Sequence, residues 1–126
     1  ADYLASETGE FLLELPTGTM PADVERIVFE LQGRGYTVII AHPERYRYVQ
    51  DDIDVVRRFI QSGCKIQVSA DFWNEGAFSA VKKTAKKLLD EGLVHYIASD
   101  AHGPHGYRTL KDARKAYKPV GAHART

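Results

Sequence analysis

Apolar residues along this chain fall into short runs that alternate with stretches of helical periodicity. Glu10 to Leu15 is an apolar run with a carboxylate, Glu14, set inside it, and reads as a first strand. Val24, Ile27, Val28 and Leu31 recur at i, i+3, i+4 and i+7, one face of a helix. Pro21, Asp23 and Glu25 suit its first turn, and Gly33 or Gly35 stops it. Tyr36 to Ala41 is almost continuously apolar, which predicts a strand buried on both faces and hence a parallel sheet. Beyond the ionisable tip His42 to Arg45 and an aromatic loop, Tyr46-Arg47-Tyr48, a second helix is predicted from Asp51 and Asp52. It carries Ile53, Val56, Phe59 and Ile60 on one face and stops at Gly63. Lys65 to Val68 is the third strand and leads into Ser69 to Asn74. A third helix sets Phe78, Val81, Ala85, Leu88 and Leu89 inward and Lys82, Lys83, Lys86 and Lys87 toward water, beside Asp90 and Glu91. Gly92 closes it. His95 to Ser99 is the fourth strand, followed by a Gly-rich loop and a last helix from about Thr109 to Tyr117.

Repeated strand-helix units of this kind predict an α/β fold with parallel strands, because parallel neighbours need crossover connections. The pattern leaves open sheet and barrel undivided. In both, chemistry gathers at the carboxyl ends of the strands, where His42, Asp71, Asp100 and His102 fall. One domain is expected over residues 1–126, with residues 1–9 and 118–126 as loose ends.

Charge and composition narrow the partners. Lys plus Arg and Asp plus Glu number 17 each, so no net field attracts nucleic acid or an anionic membrane. No apolar run is long enough to span a bilayer and no signal-peptide pattern opens the chain, so membrane insertion is not expected and a cytoplasmic location is the expectation. Cys64 is the single cysteine, which excludes an intrachain disulfide and a thiolate-rich zinc site. It reads as a small buried hydrophobe between Gly63 and the third strand.

Candidate chemistry lies at the strand ends. Tyr96-Ile97-Ala98-Ser99-Asp100-Ala101-His102 is an apolar run ending in Asp-x-His, and residues two apart on an extended backbone point to one side. Asp100 and His102 can thus present a carboxylate and an imidazole together, a donor pair suited to divalent transition metals. Val38 to Ala41 runs likewise into His42, and Glu14 inside its apolar strand needs a compensating partner. Taken singly, each has a structural reading: a strand-end Asp caps a helix or forms a turn, and a strand-end His binds a carbonyl. Together they point to a metal site.

The segments Glu10–Pro16, "GYTVIIAHPERY" at Gly35–Tyr46, Gln67–Ala70 and "LVHYIASDAH" at Leu93–His102 resemble the PHP (polymerase and histidinol phosphatase) superfamily of metal-dependent phosphoesterases. Within it, the similarity is to the bacterial protein-tyrosine phosphatases that act on capsule and exopolysaccharide tyrosine kinases, and it runs from about Glu10 to Arg108. Carried over residue by residue, it implies that Glu14, His42, Asp100 and His102 ligate metal, usually Mn2+. It also implies that Arg45 and Arg108 are catalytic phosphate contacts, a task that suits the guanidinium fork. His105 is a candidate substrate contact, His95 is taken as structural, and His123 lies in the tail.

Such proteins form a distorted seven-stranded (β/α) barrel roughly twice this length and begin with a strand carrying His-x-His. No His-x-His occurs here, so the resemblance is to the C-terminal half of the barrel. The loop Asp71–Ser79 is also bulkier than the family's Gly/Ser-rich turn and one residue longer. Two functions follow as expectations. One is a metal-dependent phosphatase for phosphotyrosine on a protein, impaired where half the barrel is missing. The other is a non-catalytic half-barrel that self-associates. Open strand edges favour a homo-oligomer in either case.

Overall fold

The computed structural model describes residues 9–98 and the backbone of residues 108–109. Its strands are β1 (Glu10–Glu14), β2 (Thr37–Ala41), β3 (Lys65–Ser69), β4 (Tyr96–Ala98) and β5 (Arg108–Thr109). Its α-helices are α1 (Val24–Gly33), α2 (Arg47–Asp51), α3 (Asp54–Gln61) and α4 (Ala80–Asp90). All strand pairs are parallel, in the order β4-β3-β2-β1-β5. The α/β expectation is therefore met.

The alternation of side chains along β1 decides which residues enter the core. Phe11 and Leu13 are fully buried, as are Val38, Ile40, Ile66 and Val68 on the neighbouring strands. They pack with Val24, Ile27, Val28 and Leu31 of α1 and with Val55, Val56 and Phe59 of α3. The opposite phase of β1 holds Glu10, Leu12 and Glu14, all only partly buried. β2 is buried at every position after Thr37, as its unbroken apolar sequence predicts for a parallel strand. Gly63 has φ +96°, a value that disfavours a side chain, and turns the chain from α3 into β3. Cys64 is buried there, and burial pushes its thiol up to about 12.

Several expectations need correction. The aromatic loop at Tyr46 to Tyr48 is the N-cap and start of α2. The next helix begins at Asp54 rather than Asp51 or Asp52, and Val55 takes a buried place on the face expected for Ile53 and Ile60, which are only half-buried. Phe78 is 88% exposed. It precedes the Ser79 cap, whose Oγ accepts from the Val81 and Lys82 backbone N–H groups at 3.1 and 3.4 Å, so α4 buries Thr84, Ala85 and Leu88 instead. Val81 and Leu89 are half-buried. His95 precedes β4 and is not part of it. Thr109, expected to open a helix, pairs with Glu14 in β5. The remainder of that helix and the tail lie outside the described residues, as do Ala1 to Thr8.

Candidate active site

Register brings the first two site residues together. Leu13 pairs with Ile40, so Glu14 is level with Ala41 and one residue short of His42. The backbone of His42 turns sharply there, at φ 40° and ψ 55°, a left-handed conformation uncommon for a residue with a side chain and enriched at functional sites. Its N–H donates to Gln67 O at 2.7 Å, which extends the β2–β3 pairing by one residue. In that pose His42 Nε2 lies 3.1 Å from Glu14 Oε2. Glu14 is not buried as an apolar strand would suggest: its side chain is 31% exposed while His42 is nearly enclosed. The reason is phase, since Glu14 shares the partly open side of β1 with Leu12 and Glu10. Burial lowers the pKa of His42 against the opposing pull of Glu14, and Arg45 lowers it further. A neutral imidazole is the form that binds metal.

Below this pair, two residues that the sequence reading gave no role fix the tip. Tyr46 is completely buried; its hydroxyl donates to Ala41 O at 2.5 Å and accepts from the Leu15 N–H at 2.9 Å. It thereby ties the end of β1 to the end of β2, and its ring meets His42 edge-on with centroids 5.5 Å apart. Tyr48 stacks on the far side at 5.4 Å. Burial raises the Tyr46 phenol well above its usual value, so it stays a hydrogen-bonding hydroxyl. Glu44 is also completely buried; its Oε2 accepts from the Ser69 N–H at 3.0 Å, tying β2 to β3, while Oε1 has no hydrogen-bond partner among the described residues. Burial raises its carboxyl to about 6, with the Ser69 N–H pulling the other way. Both lie within the quoted "AHPERY" run. The available signal was that a tyrosine or carboxylate placed against strand ends must find polar partners when buried.

Arg45 is the third predicted residue that the described structure places here. Its Nη2 is 3.6 Å from Asp71 Oδ1 and 3.9 Å from Glu75 Oε2, and its side chain is 35% exposed. Asp71 sits in the turn Ala70–Asn74 after β3 and accepts from the Ser69 hydroxyl at 2.5 Å. That bond holds its carboxyl below the usual range, helped by Arg45. Arg108 is described by its backbone alone, paired with Leu13 beside the Glu14 tip. Asp100, His102 and His105 lie outside the described residues, in the connection between β4 at one edge of the sheet and β5 at the other. Among the described residues, no group of three or more His, Cys, Asp or Glu side chains is placed to hold a metal ion. His95 matches its structural reading: its Nδ1 accepts from the Ile66 N–H at 3.0 Å.

At the carboxyl ends of this parallel α/β sheet, a carboxylate, an imidazole and a guanidinium stand at neighbouring strand tips. The family described as "Capsular polysaccharide synthesis, CpsB/CapC" matches residues 4–123, and the chain belongs to it. A putative tyrosine-protein phosphatase CapC of Staphylococcus aureus is 35% identical, over 77% of this chain and 38% of that protein. The tyrosine-protein phosphatase YwqE of Bacillus subtilis is 29% identical over the same shares. A solved structure from work on YwqE of B. subtilis and CpsB of Streptococcus pneumoniae, described as metal-dependent tyrosine phosphatases, superimposes with TM-score 0.67 at 26% identity. It covers 90% of this chain and 47% of that one. The chain thus spans about four-tenths of the length of these curated relatives.

Proposed function

We propose that this chain carries the C-terminal part of a metal-dependent phosphatase that removes phosphate from tyrosine on a protein, of the capsule and exopolysaccharide type. The observation that carries the reading is the Glu14–His42 contact, with Arg45 three residues past His42. One carboxylate oxygen and one neutral imidazole nitrogen are donors that divalent first-row transition ions accept, and Mn2+ is the ion proposed. Asp100 and His102 complete the set from this chain, Arg108 is the second phosphate contact, and His105 touches the substrate.

A divalent ion held there would supply a Lewis acid and a water of lowered pKa. Glu14 and His42 are the residues that would hold it, and burial favours the neutral imidazole. Arg45 presents its guanidinium to the phosphoryl oxygens, where a fixed donor stabilises charge that develops in the transition state. To reach them it exchanges Asp71 and Glu75 for the substrate, a small cost because such half-exposed ion pairs are worth at most about 1 kcal/mol.

Ligand number sets the expected activity. When the pair at the strand tips and Asp100 and His102 are the only ligands present in the assay, metal binding is expected to be weak, and misplacement of the reacting groups costs about a hundredfold in rate. Titration of Mn2+ into metal-stripped protein, followed by aryl phosphate turnover, tests this. Weak binding and slow turnover that vanish in His42→Ala are expected; turnover as fast as that of a full-length relative would overturn the weak-site reading, and no binding at all would overturn the metal site.

A second reading, a self-associating half-barrel, rests on the edge strand β4, where Tyr96 is 40% and Ile97 57% exposed. Exposed apolar edges invite pairing with another copy. We place the protein in the cytoplasm as a homo-oligomer, and a monomer mass by light scattering at every concentration would remove the oligomer. Among the described residues no helix is long and apolar enough to cross a membrane.

A further inference from the structure

The lysines of α4 have a destination that the sequence pattern did not show. Lys82 and Lys86 each place Nζ 5.5 Å from the centre of the Trp73 ring, and Lys83 places its own 5.5 Å from the Phe78 ring. Trp73 is 60% exposed, although its neighbour Phe72 is buried and packs against it with centroids 4.6 Å apart. An indole standing in water on a buried anchor, with two ammonium groups on it, is more than a solvated helix face requires. No ion pair engages any of these lysines among the described residues, whereas Arg26, Arg45 and Arg57 each meet carboxylates. The nearby carboxylates Asp71 and Glu75 face Arg45, and Glu91 faces Arg57.

Position ties this surface to the candidate active site. Trp73 and Asp71 share one turn, and Asp71 is the residue against which Arg45 rests. α4 packs directly on the turn Pro43–Arg45 that carries Arg45. A chain whose phosphorylated side chain reached Arg45 would therefore run its flanking residues across Trp73 and the lysines.

We propose that Trp73 with Lys82, Lys83 and Lys86 is a docking surface for acidic residues flanking the phosphotyrosine of the substrate. This rests on the phosphatase reading and adds to it a substrate class: an extended acidic peptide rather than a neutral or basic one. Charge complementarity selects the occupant. Ammonium groups that meet no carboxylate among the described residues are free to bind acidic side chains, and the indole face accepts a peptide side chain or backbone at low entropic cost. The patch is short and the chain carries no net charge, so it lacks the extended basic track that a nucleic acid follows.

Trp73 is the only tryptophan, so its fluorescence reports on this surface directly. Synthetic peptides with tyrosine or phosphotyrosine flanked by Asp and Glu are titrated into the whole chain, beside peptides with neutral or lysine flanks. Acidic flanks are expected to change the emission saturably, with affinity falling about tenfold in Lys82→Glu/Lys86→Glu and retained in the charge control Arg26→Glu. Circular dichroism melts establish that the variants are folded. Unchanged emission with acidic peptides, equal binding by the double variant, or a response to an oligonucleotide in place of the peptides would each overturn the surface. Phosphate release is read separately, with Mn2+ added. Acidic-flank binding with no release from any phosphopeptide overturns the phosphatase reading and leaves the surface standing. Release from acidic and neutral phosphopeptides at equal kcat/KM overturns the surface alone.

Discussion

Two strand tips of this molecule use the same backbone device and do opposite things with it. After β2, the chain makes a tight 3-10 turn over Pro43–Arg45; after β3, it makes another over Ala70–Asn74. In the first, Pro43, Glu44 and Tyr46 are buried with His42, and polar ties run to β1 through Tyr46 and to β3 through Glu44. In the second, Phe72 alone is buried, and Asp71 and Trp73 stand in water. The lesson concerns division of labour. Under the proposed function, groups that meet a small ion within a fraction of an ångström need side chains locked by surrounding packing, whereas a surface that docks a peptide does better on an open turn carried by a rigid sheet.

The comparison breaks most visibly if the two tips prove equally important for stability. Tyr46→Phe keeps the ring and removes only the hydroxyl, leaving the Leu15 N–H and the Ala41 carbonyl without their partner. Each buried polar group so stranded costs roughly 1–3 kcal/mol, and a loss of about 3 kcal/mol in urea unfolding is expected. Trp73→Ala at the open tip should stay within about 0.5 kcal/mol. Equal losses would erase the distinction.

Glu44 is the next test of the same contrast. Glu44→Ala removes the acceptor of the Ser69 N–H, and a destabilisation of about 2 kcal/mol is expected, with Glu44→Gln recovering most of it because its amide oxygen can accept the same bond. If Glu44→Ala unfolds at the wild-type urea midpoint, the tie between β2 and β3 contributes nothing.

What could be read from the sequence follows the same division. The first four strands, their parallel direction and the glycine turns were legible because they depend on local periodicity: β2 announces its burial in the four consecutive residues Val38 to Ala41, and Gly63 its turn. Glu14, His42 and Arg45 were nominated by the segments that carry the family resemblance, and the structure brings those three to the same end of the sheet. Tyr46 and Glu44 were not, since their value depends on Leu15 and Ser69, residues 31 and 25 positions away. Phe78 was misread because a helix period extends equally well past a serine that instead caps the helix. The two residues of β5 are too few to show a period at all.

The open tip can be sharpened by loosening its hold on Arg45. Asp71→Asn removes the closer of the two carboxylates on that guanidinium, so an added anion no longer competes with it. Inorganic phosphate is expected to bind two- to fivefold more tightly, roughly the equilibrium worth of a half-exposed ion pair, as read by calorimetry at low salt. Weaker phosphate binding would mean that Asp71 positions Arg45 rather than occupying it.

The smallest effect lies away from both tips and serves as their pH control. His95 Nδ1 accepts a hydrogen bond from the Ile66 N–H, which requires an unprotonated nitrogen. Burial, and then the Lys65 charge, hold this imidazole below its ordinary value of 6.5. The sign follows: as pH falls through 6.5, the unfolded chain takes up a proton that the folded chain still refuses, so stability present above 6.5 is progressively lost in acid. His42 is lowered too and adds a loss of the same sign, so the wild-type slope alone does not isolate His95. His95→Asn offers an amide oxygen in place of Nδ1 and cannot titrate. Metal-free wild type should lose more stability between pH 7.5 and 5.5 than His95→Asn does, and the residual slope of the variant then belongs to the His42 tip. Identical slopes in urea titrations of the two would show that the Ile66 bond does not depend on the charge of His95.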